Sequence, residues 1–545
     1  METFENIVGT LNDLVWSTPT YFPFMVAVLL SFGIFITLRL GFVQVRRFKH
    51  GILSVMGKYD HPDAVGDVNH FQALTTALSA TVGIGNIAGV AIAIHYGGPG
   101  ALFWMWVTAF FGMAIKYTEC TLAVKYRVQN EDGSVSGGPM YYIEKGLGEN
   151  WKWLAVFFAA MAVICSFLTG NAVQANTVAD TLKSTFLIPG WITGLVTASL
   201  VGVVIIGGIK RIGKVTASLM PIMAIIYVLG ALIILLLNYD HVIPAFGTIF
   251  EYAFTPKAGA FGVGSGLFLT TLVWGIKRGL FSNEAGQGSA PIAHGAARTK
   301  EPVREGVVAL LEPFIDTLVV CTMTGLVIVS TGVWDQKHDL PFTSNALETE
   351  IVVDSGNMIM FENGMPTNGS LVRNDHEMGV FYVDEARTET FEGTMEVLAE
   401  GGVAITGADG SQIEVLHSSI VENGAPLTAI AFEKGLAPLF GGGKYIVTIC
   451  VILFGVSTAI SWSYYGDRSI QYLAGDKSII YYKMVYLVMH FIGAVLALET
   501  VWAIGDIALG LMTFPNIIAL FALSGVVATA SKTYFAKMKE LESEN

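Results

Sequence analysis

The sequence predicts an all-α polytopic membrane protein of about 11 transmembrane helices, interrupted by one small β-rich insertion. Three observations carry this reading. The first is composition: 53% of the 545 residues are hydrophobic, only 14% are charged, and the mean hydropathy is +0.58. Soluble domains carry about 25% charged residues, so a chain this apolar cannot clothe a surface facing water. The second is block length: the apolar residues come in runs of about 20, which at 1.5 Å per helical residue span a ~30 Å hydrocarbon core. The third is the distribution of lysine and arginine, which alternates between connections.

Candidate spans lie near 21–40, 72–97, 99–125, 151–178, 190–209, 214–238, 264–288, 305–333, 445–470, 481–503 and 507–530. In lipid each must satisfy its own backbone hydrogen bonds, so helix is the default. The first connection holds Arg39, Arg46, Arg47, Lys49 and Lys58. Taking it as cytoplasmic puts 21 of the 31 cationic residues inside and seven outside, which is the positive-inside pattern. The N-terminus is then outside and the C-terminal tail, with Lys532, Lys537 and Lys539, cytoplasmic. The expected location is the plasma membrane of a bacterium or archaeon. Glu2, Glu5 and Asp13 give the N-terminus the wrong sign for a cleaved signal peptide. The four cysteines fall inside apolar blocks at spacings that match no metal motif, and read as packing residues.

The connection from 335 to 424 differs from the rest. It holds 17 Asp or Glu against three Lys or Arg, which accounts for the whole net charge of −13. Runs such as Glu350-Ile-Val-Val, Gly379-Val-Phe-Tyr-Val and Gln412-Ile-Glu-Val-Leu alternate like strands between Gly, Asn and Asp turns. The expectation is a small external β domain. Organisation then reads as 1–60, an extra N-terminal helix with its cytoplasmic connection; 61–240, a first set of five spans; 241–334, the start of a second set; 335–424, the acidic domain; and 425–545, the rest of the second set and the tail.

Two spans carry clustered glycines at mid-depth: Ser79-Ala-Thr-Val-Gly-Ile-Gly-Asn-Ile-Ala-Gly89 and Thr270-Thr-Leu-Val-Trp-Gly-Ile-Lys-Arg-Gly279. Glycine costs a helix about 1 kcal/mol relative to alanine, and freed backbone groups at membrane depth are tolerated only along a cavity. Close helix packing is the alternative for either span alone. Gly83 and Gly275 lie 192 residues apart and each break opens a set of five spans, the pointer to a 5+5 inverted repeat plus one extra helix, with the site at the breaks. The first break offers N–H groups around Gly83, Ile84, Gly85 and Asn86 to a carboxylate. Carbonyls of Thr81 and of Val273 to Gly275 could take an ammonium, and Phe167, Trp274 and Ile276 could close around a small side chain. Asn171 and Gln174 are intramembrane amides, either pocket residues or helix glue. Membrane-depth ionisable groups (Lys116, Glu119, Lys277, Arg278, Glu284, Glu312, Asp316, His490, Glu499) read as gate or packing groups, with Lys116/Glu119 and Glu312/Asp316 at one-face spacing.

The stretches Ala80-Thr-Val-Gly-Ile-Gly-Asn-Ile-Ala-Gly89, Ser136-Gly-Gly-Pro-Met-Tyr-Tyr142, Gly170-Asn-Ala-Val-Gln-Ala-Asn176, Gly279-Leu-Phe-Ser-Asn-Glu-Ala-Gly-Gln-Gly288 and Ser461-Trp-Ser-Tyr-Tyr-Gly466 resemble the alanine or glycine:cation symporter family, across nearly the whole chain. The acidic domain departs from that pattern. The resemblance implies a leucine-transporter-type fold, sodium-coupled symport of small neutral amino acids, Gln174 as a pocket residue, and no cofactor beyond the coupling ion. Sodium is a hard cation that prefers oxygen ligands. Carbonyls near Ser79 and Val82 are available at the break. Phe454-Gly-Val-Ser-Thr-Ala-Ile-Ser461 is similar to the segment that supplies two hydroxyl ligands in that fold, which nominates Ser457 and Thr458. Enzyme signatures are missing: there is no His-x-x-x-His pair, no Gly-x-Ser-x-Gly elbow and no phosphate loop in 46–58. Nothing points to nucleic acid; the expected partners are a small neutral amino acid, sodium and the bilayer. A channel or a membrane sensor on a carrier scaffold is the alternative reading.

Overall fold

The structure is a computed structural model that describes residues 2–19, 23–60, 63–131, 133–255, 268–343, 349–354, 356–373, 376–398, 402–496 and 499–544. The helices that build the bundle are α1 (Glu2–Trp16), α2 (Phe24–Arg39), α3 (His70–Thr81), α4 (Val90–Gly97), α5 (Ala101–Tyr126), α6 (Glu149–Lys183), α7 (Gly190–Ile205), α8 (Gly208–Leu237), α9 (Tyr239–Phe254), α10 (Phe268–Asn283), α11 (Pro302–Thr331), α12 (Gly424–Leu436), α13 (Gly443–Ala474), α14 (Ser478–Val495) and α15 (Glu499–Glu544). Helix occupies all eleven of the apolar stretches read from the sequence. Among the described residues, six helices are long and apolar enough to cross a bilayer alone, and α3 with the segment Gly85–Gly97 makes a seventh that is bent by 55°. The start of the seventh apolar stretch, 264–267, lies outside the described residues.

Burial sorts the helices. The apolar window of α13 is 78% buried, against 33% for α8 and for α14. So α13 is the central post, packed on α6 and α8. The large apolar side chains of α7, α8 and α14 that remain exposed, such as Leu200, Val203, Ile225, Leu229, Met484 and Val488, form faces with no water-compatible covering. Close approach to α13 depends on glycine. A Cβ at Gly170 of α6 would lie 2.4 Å from Trp462, and one at Gly455 would lie 2.6 Å from Val178.

Local signals explain several boundaries. Asn69 caps α3 through a capping box with Gln72. Two helices go beyond the sequence reading. Helix α1 packs on α15, with Trp16 buried and its indole N–H donating to the Asp506 carbonyl at 2.8 Å. Helix α9 packs on α5 and α11. The segment expected to be amphipathic after the insertion is α12, and the last span continues without interruption into the tail as α15.

The second glycine cluster is not a break. Helix α10 runs through Gly275 and Gly279 without interruption. Its glycines serve close packing, since a Cβ at Gly275 would fall 2.4 Å from the Ala101 carbonyl of α5. The chain leaves helix one turn later, where Glu284 (φ 53), Gly286 (φ 84) and Gly288 (φ 86) take left-handed conformations before the short helix Ala290–His294.

Residues 338–420 form the β domain. A strand pair outside it joins β1 (Val128–Gln129) to β2 (Val135–Ser136). The domain's strands are β3 (His338–Thr343), β4 (Glu350–Val353), β5 (Met358–Glu362), β6 (Met365–Pro366), β7 (Gly369–Arg373), β8 (His376–Glu377), β9 (Gly393–Val397), β10 (Val403–Gly407) and β11 (Val415–Ile420). They form three antiparallel sheets, ordered β10-β9-β5-β6, β11-β3 and β4-β7-β8. A core separate from that of the helices includes Phe342, Ile359, Phe361, Phe381, Phe391 and Met395. Two expected strands need correction. The 379–383 run is not a strand, because its backbone pairs with three different segments: Phe381 N–H donates to Gly364, Phe391 N–H to Phe381, and Tyr382 bridges His417. The 412–416 run becomes strand only from Val415.

The first and last strands of the domain pair with each other, from His338 opposite Ile420 to Thr343 opposite Val415. The two points of attachment are therefore neighbours. Replacing 339–419 by a short Gly/Ser linker is expected to leave the helical bundle folded, since loop closure changes by only about 0.6 kcal/mol per doubling of length. Helical circular dichroism and a monodisperse elution profile are the measurements. Aggregation of the excised protein under conditions where the full chain is monodisperse would show that the two cores are interdependent.

Candidate functional site

Helix α3 ends at Thr81, and Val82 (φ −73, ψ 88) turns the chain out of helix. The next segment, Gly85–Gly89, is wound as a π-helix. Asn86 closes the broken turn: its Oδ1 accepts from Gly83 N–H at 2.8 Å, and its own N–H donates to the Gly83 carbonyl at 3.1 Å. Two of the expected free donors, at Gly83 and Asn86, are thus already engaged. Gly85 is different. It is exposed between buried neighbours, and no atom lies within 4 Å of where its Cβ would stand. An open, solvent-reached space therefore begins at membrane depth beside this backbone.

Among the described residues, two further π-wound segments lie inside spans, Leu168–Ala172 in α6 and Phe314–Cys321 in α11, the second packed on Gly85–Gly89. Such bulges concentrate at functional sites because they displace backbone groups from the helical ladder.

On one side of the break stand the nominated ion ligands. Ser457 Oγ donates to Ser79 Oγ at 2.8 Å, and Thr458 Oγ1 donates to the Ser79 carbonyl at 3.1 Å. These hydroxyls reach across to α3 rather than back along their own helix. Thr458 Oγ1 also lies 2.8 Å from the Cβ position of Gly83. Ser79, Ser457 and Thr458 are therefore one cluster of buried, neutral oxygens, set against Gly83. Val82, beside them, is buried, and its N–H is spent on Leu78.

On the other side stands Asp316, which the sequence offered only as a gate or packing group spaced one turn from Glu312. Asp316, fully buried, receives Asn86 Nδ2 at 2.5 Å on Oδ1, and Ser282 and Thr317 hydroxyls at 2.7 Å on Oδ2. The only sequence signal for it was a carboxylate at membrane depth. Asn86 and Ser282 come from two other spans, which spacing cannot reveal, and Thr317 is the chain neighbour of Asp316.

The other predicted pocket residues divide. Gln174 is brought to the break: its carbonyl and Ile84 Cδ1 both approach Gly455, and its Oε1 is buried without a partner. Asn171 is not available as a pocket group, because Nδ2 donates to the Tyr486 carbonyl and Oδ1 meets His490 Nδ1, both at 2.7 Å. It ties α6 to α14. Phe167 is half-buried against Tyr482, ring centroids 5.0 Å apart. Trp274 sits away from the break, and Gly275 packs on Ala101 and Trp104. Trp274 stacks on Tyr96 at 4.5 Å and touches the Gly97 position; Gly97 is eleven residues beyond Asn86, roughly 16 Å along a helix. What α10 brings to Asn86 is Ser282, at 3.1 Å. The carbonyls of Val273 to Gly275, inside a continuous helix, are not a freed set.

The buried charges also pair otherwise than their spacing suggested. Lys116 reaches Glu312 across helices at 3.0 Å, and Glu312 lies 3.7 Å from His294. His294 meets Glu305 at 2.5 Å, and Glu305 also holds His70 in a short contact. Glu119 takes Asn516 at 3.1 Å, Glu284 accepts from Ser289, and Lys277 and Arg278 lie over the Trp274 ring at 5.4 Å. The side chain of Glu499 lies outside the described residues.

The sequence was compared with known families and proteins. The profile of the sodium:alanine symporter family matches residues 1–362 and 386–545, leaving only a stretch inside the β domain unmatched. The sodium/alanine symporter AgcS of Methanococcus maripaludis is 40% identical over 544 residues, covering 99% of both chains. Two Bacillus subtilis proteins align over 99% of this chain: the "Probable sodium/glutamine symporter GlnT" at 32% identity, with 92% of its length covered, and the amino-acid carrier protein AlsT at 30%, with 94% covered.

Proposed function

We propose that this chain, which belongs to the sodium:alanine symporter family and is a multi-pass membrane transporter rather than an enzyme, carries small neutral amino acids such as alanine and glycine into the cell by alternating access, coupled to sodium. One observation carries the reading. Thr458 contacts both the Ser79 carbonyl and the Gly83 position, so the oxygen cluster and the break that opens beside Gly85 share atoms. An ion held there organises the backbone that receives the substrate.

In this reading the substrate carboxylate sits against the backbone at Ile84 and Gly85, where the π-wound segment begins and the helix dipole is favourable. The unpartnered Gln174 Oε1 and the buried Asp316 are the acceptors for its ammonium. The pocket has room for a small side chain because glycine lines it. The Tyr96–Trp274 stack acts as a lid farther along α4, which gives the aromatic residue a gating role in place of direct contact. Five spans beginning with α3 and five beginning with α10 form the two halves, α2 is the added helix, and the N-terminus faces outside with the tail in the cytoplasm. The β domain between α11 and α12 is then external.

Radiolabelled alanine uptake into proteoliposomes tests the function. Saturable uptake that requires an inward sodium gradient is expected; uptake indifferent to sodium, or binding without flux, would refute it.

The ion site has its own expected result. Sodium takes oxygen ligands, and losing one buried hydroxyl costs about 1–3 kcal/mol. Thr458→Val should raise the sodium concentration for half-maximal uptake by at least ~10-fold, and saturating sodium should largely restore alanine affinity, because the two affinities are reciprocally linked. Sodium titrations of uptake that are unchanged in both Thr458→Val and Ser457→Ala would move the ion away from this cluster.

A further inference from the structure

At the end of α2 the chain folds back sharply. Gly41 (φ 61) and Phe42 (φ 56) are consecutive left-handed residues, and the short helix that follows returns Arg46 and Arg47 to the side of Arg39. The far part of α15 passes the same place. Between them lies a cavity of about 510 Å³ whose lining includes Arg39, Arg46, Arg47, Lys532 and Lys539 and contains no carboxylate. Arg39, Arg46, Lys532 and Lys539 are exposed. Arg47 is set over the Phe535 ring at 3.8 Å, and Arg46 donates to the Gly41 carbonyl at 3.3 Å, so two of the cations are held in position by the fold.

The depth of this cavity is fixed by the sequence. The apolar run of α2 ends at Arg39, and α15 meets its first cation beyond the apolar stretch at Lys532. Both helices therefore leave hydrocarbon at this level, where lipid headgroups lie. Toward the membrane, the wall is apolar and open. Leu38 is 62% exposed, and Phe35 stacks on Phe521 at 5.6 Å with both rings partly exposed. The positive-inside bias places cations on this face, but it does not gather five of them around one hollow beneath an aromatic wall.

We propose that this cavity binds one anionic phospholipid, its phosphate among the arginine and lysine side chains and its acyl chains along Phe35, Leu38 and Phe521. Basic pockets between spans at a membrane interface recognise such headgroups, and guanidinium groups match phosphate geometry. The apolar wall is what distinguishes a lipid from a free anion: inorganic phosphate would have no use for it. This site is separate from the break beside Gly85, and its occupancy does not depend on the transport reading.

Native mass spectrometry of the full chain in detergent tests it, with phosphatidylglycerol, phosphatidylcholine and inorganic phosphate as probes. Phosphatidylglycerol should bind at least about tenfold more tightly than phosphatidylcholine. The surface variant Lys532→Gln/Lys539→Gln should lose most of that preference. The charge-matched control Lys210→Gln/Lys214→Gln, on the same membrane face but outside the cavity, should retain it. Equal affinity for the two lipids would overturn the proposal, as would an equal loss in the control. Displacement of phosphatidylglycerol by millimolar inorganic phosphate would reduce the site to a simple anion site and also overturn it.

Discussion

Leucine at position 85 is expected to abolish alanine binding in a calorimetric titration while the protein still folds. No atom from elsewhere in the chain lies within 4 Å of the Gly85 Cβ position, so the base of the larger side chain has room. It fills the volume that the proposed pocket offers to a substrate. It also favours continuous helix across 82–86, because leucine is a better helix former than glycine by roughly 0.5–1 kcal/mol. Both effects act against binding and neither acts against folding, so loss of binding with unchanged thermal unfolding is the specific signature. Gln174→Ala should do less, at about 1–3 kcal/mol, the value of one buried polar contact. Normal alanine affinity in Gly85→Leu would place the pocket elsewhere.

The contrast between Gly85 and Gly275 shows what sequence can say about such a site. Both are mid-span glycines in small-residue clusters, and periodicity treats them alike. Only the neighbouring helix separates them: α5 presses its Ala101 carbonyl against Gly275, whereas nothing presses on Gly85. The identity of that neighbour is tertiary information. The helices themselves were legible, since a hydrophobic run of span length has few other options in lipid. Ser457 and Thr458 could be nominated because the local string resembles a known segment, and their hydroxyls reach Ser79. The partners of Asp316 were not legible, since Asn86 and Ser282 come from two other spans. Asn171 stayed open between pocket and helix glue for the same reason: which way an intramembrane amide turns depends on where Tyr486 and His490 fall. In the β domain, alternation made the 379–383 run read as a strand and could not show that its pairing is divided among several segments.

The buried pair Lys116–Glu312 should produce the largest effect on stability. Both side chains are fully buried, 3.0 Å apart, and they join α5 to α11 where α11 also meets His294. Two charges taken out of water cost several kcal/mol each, which their attraction offsets only while both are present. Lys116→Met removes one charge at nearly constant volume and leaves the Glu312 carboxylate without its nearest cation. The expected loss is about 3–5 kcal/mol, seen as a large fall in the thermal midpoint of the detergent-solubilised protein. Lys116→Met/Glu312→Leu should recover most of that loss, because buried ion pairs replaced by apolar residues of similar size are often neutral in stability. The recovered double variant then separates two roles. If the pair only satisfies itself, the double variant transports normally. If α5 and α11 exchange partners during the cycle, the double variant is stable but its sodium-driven uptake is slowed. A double variant as unstable as the single one would mean that Lys116 acts through packing of its aliphatic stem and not through the charge pair.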